Sequence, residues 1–313
     1  MDRRDPREPP AARRVGPRAR GAAAVPRRPR GPRAGGGVTD PRETTDAAEP
    51  LLVALDIDGT LMSYDQELSD DVRDAVADLR AAGHHVVLAS GRSLIAMTPV
   101  AEILGIDRGW VVASNGAVTA RLDPDEPDGY VLEDVVTFDP GPALRLLREH
   151  LPDARYAVED VGVGFRMNEL FPDGELDGVH RVVEFDELWS GEVTRVVVRA
   201  PGSTSEQFHE LVERLGLDDV TYAVGWTAWM DLAPLGVTKA TGLELVRRTL
   251  HVQPHRTVAV GDGRNDVEML RWASRGVAMG HADDVVQAAA DEVTGTIEDD
   301  GAARVLQSLL PAR

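Results

Sequence analysis

A chain of 313 residues with 42% hydrophobic side chains is long enough for about two cored domains, and its net charge of −19 argues against phosphate backbones and anionic membranes as partners. Having no cysteine, it can form neither disulfides nor a thiolate metal site, and it has no cysteine nucleophile. No run of about eighteen apolar residues occurs, which leads us to expect a soluble, cytoplasmic protein without membrane partners.

Residues 1–49 are rich in Arg, Pro, Gly and Ala, with almost no large apolar side chains to offset conformational entropy, so they are expected to be disordered. Residues 1–40 carry eleven arginines against four acids, about seven positive charges in surplus, which leaves the rest of the chain near −26. Nucleic acid is therefore excluded as a partner of the folded body, whereas the tail could bind polyanions, including the chain's own acidic surface. An equally open reading starts translation at Val38 and omits the tail.

The run Leu51–Leu55 reads as a buried parallel strand, and it ends in Asp56, Asp58, Gly59 and Thr60. Ligands in open α/β sheets bind beyond the carboxyl ends of the strands, so these acids stand where chemistry is done. Taken alone, the letters also fit a solvated acidic turn. Ser69 with Asp70 and Asp71 starts a helix that stops at Gly83, and a strand over His85–Ala89 ends in Ser90, Gly91 and Arg92. A small hydroxyl at Ser90 and an unhindered N–H at Gly91 suit a phosphate oxygen. A helix over Leu94–Leu104, a strand over Trp110–Ala113 and the polar turn Ser114-Asn115-Gly116 continue the α/β alternation.

From Ala117 to Thr238 the chain is far longer than a crossover needs and has elements of its own. A helix at Pro142–His150, strands at 155–159, 162–167 and 193–199, a helix at 205–215 and a hairpin over 221–232 predict an inserted α+β domain at residues 137–234. The α/β core then comprises residues 50–136 and 235–313. It resumes at Gly236-Val237-Thr238-Lys239, where a helix opens, and the strand Thr257–Val260 ends in Gly261-Asp262-Gly263-Arg264-Asn265-Asp266. Gly276 is expected to break the next helix before a strand over Val277–Met279, and helices at 283–290 and 301–310 complete the chain.

Three strand ends thus deliver Asp56 and Asp58, Ser90, and Asp262 to one edge of a sheet, with Lys239 from a neighbouring helix start. Oxygen ligands without His or Cys favour Mg²⁺, held by Asp56, Asp262 and the carbonyl of Asp58. Phosphate oxygens would be held by the ion, Ser90, turn N–H groups and the Lys239 ammonium, leaving one carboxylate to attack phosphorus and another to move protons.

The segments DIDGT (56–60), SGR (90–92), SNG (114–116), PLGVTK (234–239) and GDGRNDVEML (261–270) resemble the haloacid dehalogenase superfamily, in particular its Cof-type phosphatases with a cap of the C2B type. The resemblance runs from about residue 51 to the end. It implies a Rossmann-like parallel sheet with an inserted cap, and a magnesium-dependent phosphatase acting through an aspartyl phosphate. It implies Asp56 as nucleophile, Asp58 as general acid and base, Ser90, Gly91, Lys239 and Asn265 as phosphate ligands, Asp262 as completing the metal site, and Asp266 beside it. Two departures stand out: the long segment before the first strand, and His281 where asparagine is frequent.

The substrate implied is a small phosphorylated metabolite such as a sugar phosphate, with the protein a monomer or homodimer. Arg166, Asn168 and Glu169 follow a cap strand and would reach a leaving group, although a surface salt bridge also accounts for Arg166. Trp226 and Trp229 would stack on a sugar or serve as core. A capped phosphomutase, moving the phosphoryl group within a sugar phosphate, is the competing activity. A receiver domain lacks the DIDGT turn, and a non-catalytic binding module has no reason to keep every catalytic position.

Overall fold

The structure, a computed structural model, describes residues 49–202, 204–217, 219–224 and 228–311. The tail, apart from residue 49, and Trp226 lie outside these residues, so the expectations placed on them do too. The apolar run ahead of Asp56 forms β1 (Leu52–Leu55), every residue of which is buried because the strand is covered on both faces. Ser69 accepts the Val72 amide proton and caps α1 (Asp70–Ala81), which leads to β2 (His85–Ala89). Ser93 caps α2 (Leu94–Ile103), and β3 (Gly109–Ala113) follows.

No element is expected from the sequence between Ala117 and residue 136, yet β4 (Val118–Leu122) and β5 (Tyr130–Val135) form an antiparallel hairpin there. It continues the sheet from β3. A second sheet is built from the chain that follows, through α3 (Gly141–His150), β6 (Arg155–Asp160), β7 (Gly164–Met167), β8 (Val179–Val182), β9 (Val196–Arg199), α4 (Ser205–Leu215), β10 (Val220–Val224) and β11 (Trp229–Pro234). The strand expected over 193–199 begins only at Val196, because Val193 instead makes an isolated bridge to Phe138.

The first sheet resumes with α5 (Lys239–Thr249), β12 (Thr257–Gly261), α6 (Val267–Trp272), β13 (Arg275–Ala278), α7 (Asp284–Ala289), β14 (Glu292–Val293) and α8 (Gly301–Gln307). The expectation for Gly276 is corrected: α6 ends at Trp272 with extended Ala273 as its cap, and Gly276 lies inside β13. A Cβ there would stand 2.2 Å from the Leu270 carbonyl oxygen, so glycine lets the strand press against the helix backbone.

The first sheet has the order β14-β13-β12-β1-β2-β3-β4-β5, parallel from β14 to β3. Strand alternation sends Val53 and Leu55 into a core with α1, α2 and α8, and Leu52 and Ala54 into one with α5, α6 and α7. The second sheet, β10-β11-β9-β6-β7-β8, packs α3 and α4 against one face through Leu144, Leu147, Phe208 and Val212. Its other face carries Ala157, Phe165, Met167 and Val197. Among the described residues no helix is long and apolar enough to cross a membrane.

Candidate active site

Leaving β1, the chain turns to β2 on one side, while β12 returns on the other side only after the second sheet is complete. Strand order therefore reverses at β1, and a crevice opens beyond its carboxyl end. Asp56 stands there, its N–H donating to the Val260 carbonyl at 3.1 Å and its side chain buried.

Lys239, the first residue of α5, is completely buried, and its Nζ donates to Asp56 Oδ1 and Asp266 Oδ1, both at 2.6 Å. Burial works against its charge, but the carboxylates of Asp266 and Asp56 outweigh it and hold the ammonium above its ordinary range. Asp266 accepts the Asp262 and Gly263 N–H groups on Oδ2, at 3.0 and 2.9 Å, which closes the turn after β12. Burial, reinforced by the charge of Asp266, raises the Asp56 pKa to about 7 against the opposing pull of Lys239.

Asp262 faces Asp56 from the end of β12, and burial with the charge of Asp56 raises it to about 6. Thr60 Oγ1 and Tyr64 OH donate to its two oxygens at 3.1 and 2.9 Å. The turn that leads into these donors requires Gly59: its φ is +80°, and a Cβ would lie 2.3 Å from Asp262 Oδ2. Carboxylate oxygens of Asp56, Asp262 and Asp266 lie within 4.8 Å of one another. Three buried acids facing one ammonium leave surplus negative charge, and an all-oxygen donor set of this kind fits a hard divalent cation. His281 Nε2 stands 3.7 Å from Asp262 Oδ2.

The Asp58 carboxylate lies outside this group. Arg92 Nε and Nη2 donate to its two oxygens at 2.9 and 2.5 Å, and Nη2 also donates to Gln66 Oε1 at 2.7 Å. Ser90, at the end of β2, is buried, and its Oγ accepts the Arg92 N–H at 3.1 Å. Gly91 lies so close to Asn115 that a Cβ would stand 3.2 Å from its Nδ2. Asn265 Nδ2 in turn donates to Asn115 Oδ1 at 3.0 Å. Arg92, Thr60 and Asn115 fall inside motifs legible in the sequence, but their pairing is visible only in the fold.

A cavity of about 790 Å³ runs from Asp56, Ser90 and Asp262 to the second sheet, which contributes Phe165, Leu176, Trp229, Glu175, Arg195 and Asp231. Arg166 does not line it: the neighbouring Phe165 takes the cavity face, while Arg166 pairs with Asp160 at 3.0 Å and donates to the Glu187 carbonyl at 2.8 Å. Asn168 is also turned to structural use, its Oδ1 accepting the Tyr156 N–H at 2.6 Å, and Glu169 pairs with Arg155 at 3.1 Å. Trp229 packs edge-to-face on Phe171 at 6.0 Å, as a core residue would, and also lines the cavity. Arg195, Asp231 and Glu175 carried no sequence signal, since only strand register and loop packing bring them together.

A doubly covered parallel sheet, with acids and one buried lysine at its carboxyl edge under a second sheet, defines a phosphoric monoester hydrolase of the haloacid dehalogenase fold. Residues 53–306 match the model of the haloacid dehalogenase-like hydrolases, and the chain belongs to that family. It is 32% identical over 249 residues to a phosphoglycolate phosphatase of Natronomonas pharaonis, covering 80% of this chain and 93% of the relative. It is 27% identical over 272 residues to a 5-amino-6-(5-phospho-D-ribitylamino)uracil phosphatase of Bacillus subtilis, covering 83% and 97%. A solved phosphatase of the same superfamily from Bacteroides thetaiotaomicron superposes with a TM-score of 0.67 at 27% identity, covering 83% of this chain and 94% of the other.

Proposed function

We propose that the protein is a magnesium-dependent phosphatase of small phosphomonoesters, working through a phosphorylated Asp56, with residues 137–234 as its cap. The observation that carries this reading is Lys239 Nζ bridging Asp56 and Asp266 beside Asp262, where Asp56 and Asp262 line a cavity large enough for a metabolite. Asp56 and Asp262, with the Asp58 carbonyl, would hold Mg²⁺, which when bound offsets charge on the phosphoryl oxygens.

Lys239 orients Asp56 by its Oδ1, leaving Oδ2 to form the bond to phosphorus as the bond to the leaving oxygen breaks. Asp58 gives a proton to that oxygen, then takes one from the water that attacks phosphorus in the Asp56 acyl phosphate, breaking its P–O bond to release inorganic phosphate and regenerate the carboxylate. Since Arg92 holds both Asp58 oxygens, this role requires the guanidinium to release it when substrate enters. Ser90, the Gly91 N–H, Lys239 and Asn265 hold the phosphoryl oxygens.

The cavity also bears on the leaving group. Each of its arginines is already paired, Arg92 with Asp58, Arg195 with Asp231 and Arg264 with Asp283, Glu175 is paired in turn with Arg199, and Asp177 adds further negative charge. Beside them, Phe165, Leu176 and Trp229 give an apolar wall. We therefore propose an uncharged, hydroxyl- or amine-bearing leaving group with one apolar face. A ribitylaminouracil, as in the name of the Bacillus relative, meets this description, and a glycolate does not. Phosphate release from matched polyol phosphates and phosphorylated carboxylates, with Mg²⁺ and no bisphosphate activator, tests both parts. Preference for phosphoglycolate would reject the leaving-group assignment, and a requirement for a bisphosphate activator would reject hydrolysis in favour of a mutase.

A further inference from the structure

Glu159 is a carboxylate with no part in the chemistry above. It lies on β6, on the sheet face that also carries Ala157, and is only 4% exposed. Hydroxyls from both sides of the molecule donate to its Oε2: Ser114 Oγ at 2.6 Å, from the turn after β3, and Thr194 Oγ1 at 3.1 Å, just before β9. Its Oε1 is buried with no hydrogen-bond partner among the described residues. Burial raises its pKa, against the charge of Arg195 and the two hydroxyl bonds. Such a placement is unfavourable for folding, so another use for the residue is called for.

The turn it grips is strained. Ser114, Asn115 and Gly116 have φ values of 49°, 54° and 101°, three successive left-handed residues of which two bear side chains. Each of the other two touches the group that holds phosphate. Asn115 Oδ1 accepts from Asn265 Nδ2 at 3.0 Å. Gly116 abuts the backbone at the start of α5, where a Cβ would stand 2.1 Å from the Thr238 carbonyl oxygen and 3.3 Å from the Lys239 nitrogen.

We infer that Glu159 is a positioning residue: by accepting the Ser114 hydroxyl it holds this turn in the conformation that sets Asn265 and Lys239, and so ties the phosphate-holding groups to the seating of the second sheet. The inference rests on the assignment of Asn265 and Lys239 to phosphate above. Ser114 is 45 residues from Glu159 in the chain, so the bond forms only when the two sheets meet.

The test is steady-state hydrolysis of p-nitrophenyl phosphate with Mg²⁺ by full-length wild type, Glu159→Leu, Glu159→Gln, Ser114→Ala and the Glu159→Leu/Ser114→Ala double variant, with rates normalised to the folded fraction from thermal melts. Glu159→Leu and Ser114→Ala should each lower kcat by about tenfold or more with KM within about threefold, and the double variant should fall no further than the worse single one. Glu159→Gln, whose amide oxygen accepts both hydroxyls, should stay within about threefold of wild type. Additive losses, an unchanged kcat in Ser114→Ala, or a Gln variant as slow as Leu would each overturn the inference. Should Glu159→Leu fail to fold, Ser114→Ala and Glu159→Gln still decide it, since neither empties the interior of the second sheet. Failure of the phosphatase reading would show separately, as no Mg²⁺-dependent hydrolysis of p-nitrophenyl phosphate by the wild type.

Discussion

Lys239 Nζ stands 2.6 Å from Asp56 Oδ1 across 183 residues of chain, and neither side chain is more than 7% exposed. Every other basic residue except histidine is arginine, so this is the chain's one lysine. With Asp266 Oδ1 at the same distance, the site accepts a compact ammonium and has no room for the wider planar fork of arginine. Lys239→Arg should lower turnover by about 10² or more, a size typical of losing a well-placed electrostatic contact. Rates near wild type in the purified variant would remove Lys239 from the chemistry.

Asp56→Asn should abolish turnover and leave the fold intact. It removes the proposed nucleophile and one buried charge without changing core volume, and Asp266 still holds Lys239. Burial already raises the Asp56 pKa to about 7, so a neutral amide should melt no lower than wild type at pH 8 in the absence of metal. Both calorimetry and phosphate release are needed to read the two outcomes.

The acid pair also sets a pH dependence in the metal-free protein. Asp56 and Asp262 rise from 3.8 to about 7 and about 6, so the folded state binds protons more tightly than the unfolded chain. That contribution to stability is complete below the unfolded pKa and is lost as pH rises through about 6 and about 7. In EDTA the melting temperature should therefore fall between pH 5 and pH 8, and Mg²⁺ should reduce the slope by compensating the ionised pair. A metal-free melting temperature that rises over this window would contradict the burial of these charges.

Removing metal should silence hydrolysis, and Mg²⁺ should restore it. Calcium should restore it poorly, because a larger ion with a looser shell misplaces the attacking carboxylate. Full activity in EDTA after dialysis would exclude a metal role for Asp56 and Asp262.

Gly276→Ala should destabilise the protein by about 2 kcal/mol or more, since the added Cβ would meet the Leu270 carbonyl at 2.2 Å and neither backbone can yield cheaply. Urea denaturation measures it directly. Kinetic constants of the folded fraction should be unchanged.

Asp56, Ser90 and Asp262 were legible because each interrupts an apolar run where a buried strand must end, and short-range pattern is enough to see that. Cap residues were not, for a reason of parity. Arg166 and Phe165 are neighbours on β7, and a strand shows opposite faces at successive positions, so naming the one that lines the cavity requires knowing which face the second sheet turns inward. The hairpin of β4 and β5 was missed although Val118, Ala120 and Leu122 alternate, since β5 is largely exposed and lacks an apolar stripe. Pairs such as Glu159 with Ser114 or Arg195 with Asp231 depend on tertiary register, on which local sequence is silent.

The placement of β1 between β2 and β12 has a consequence for synthesis. One edge of the strand finds its partner about thirty residues on, whereas the other waits for β12, some two hundred residues later. Until then a growing chain presents Asp56 next to an unpaired strand edge, with Asp262 not yet in place. The strands of the second sheet, contiguous from Arg155 to Pro234, can pair with one another during that interval. Insertion of β12 then closes the exposed edge and delivers Asp262 in one event, so the acids of the site cannot meet before that edge is covered.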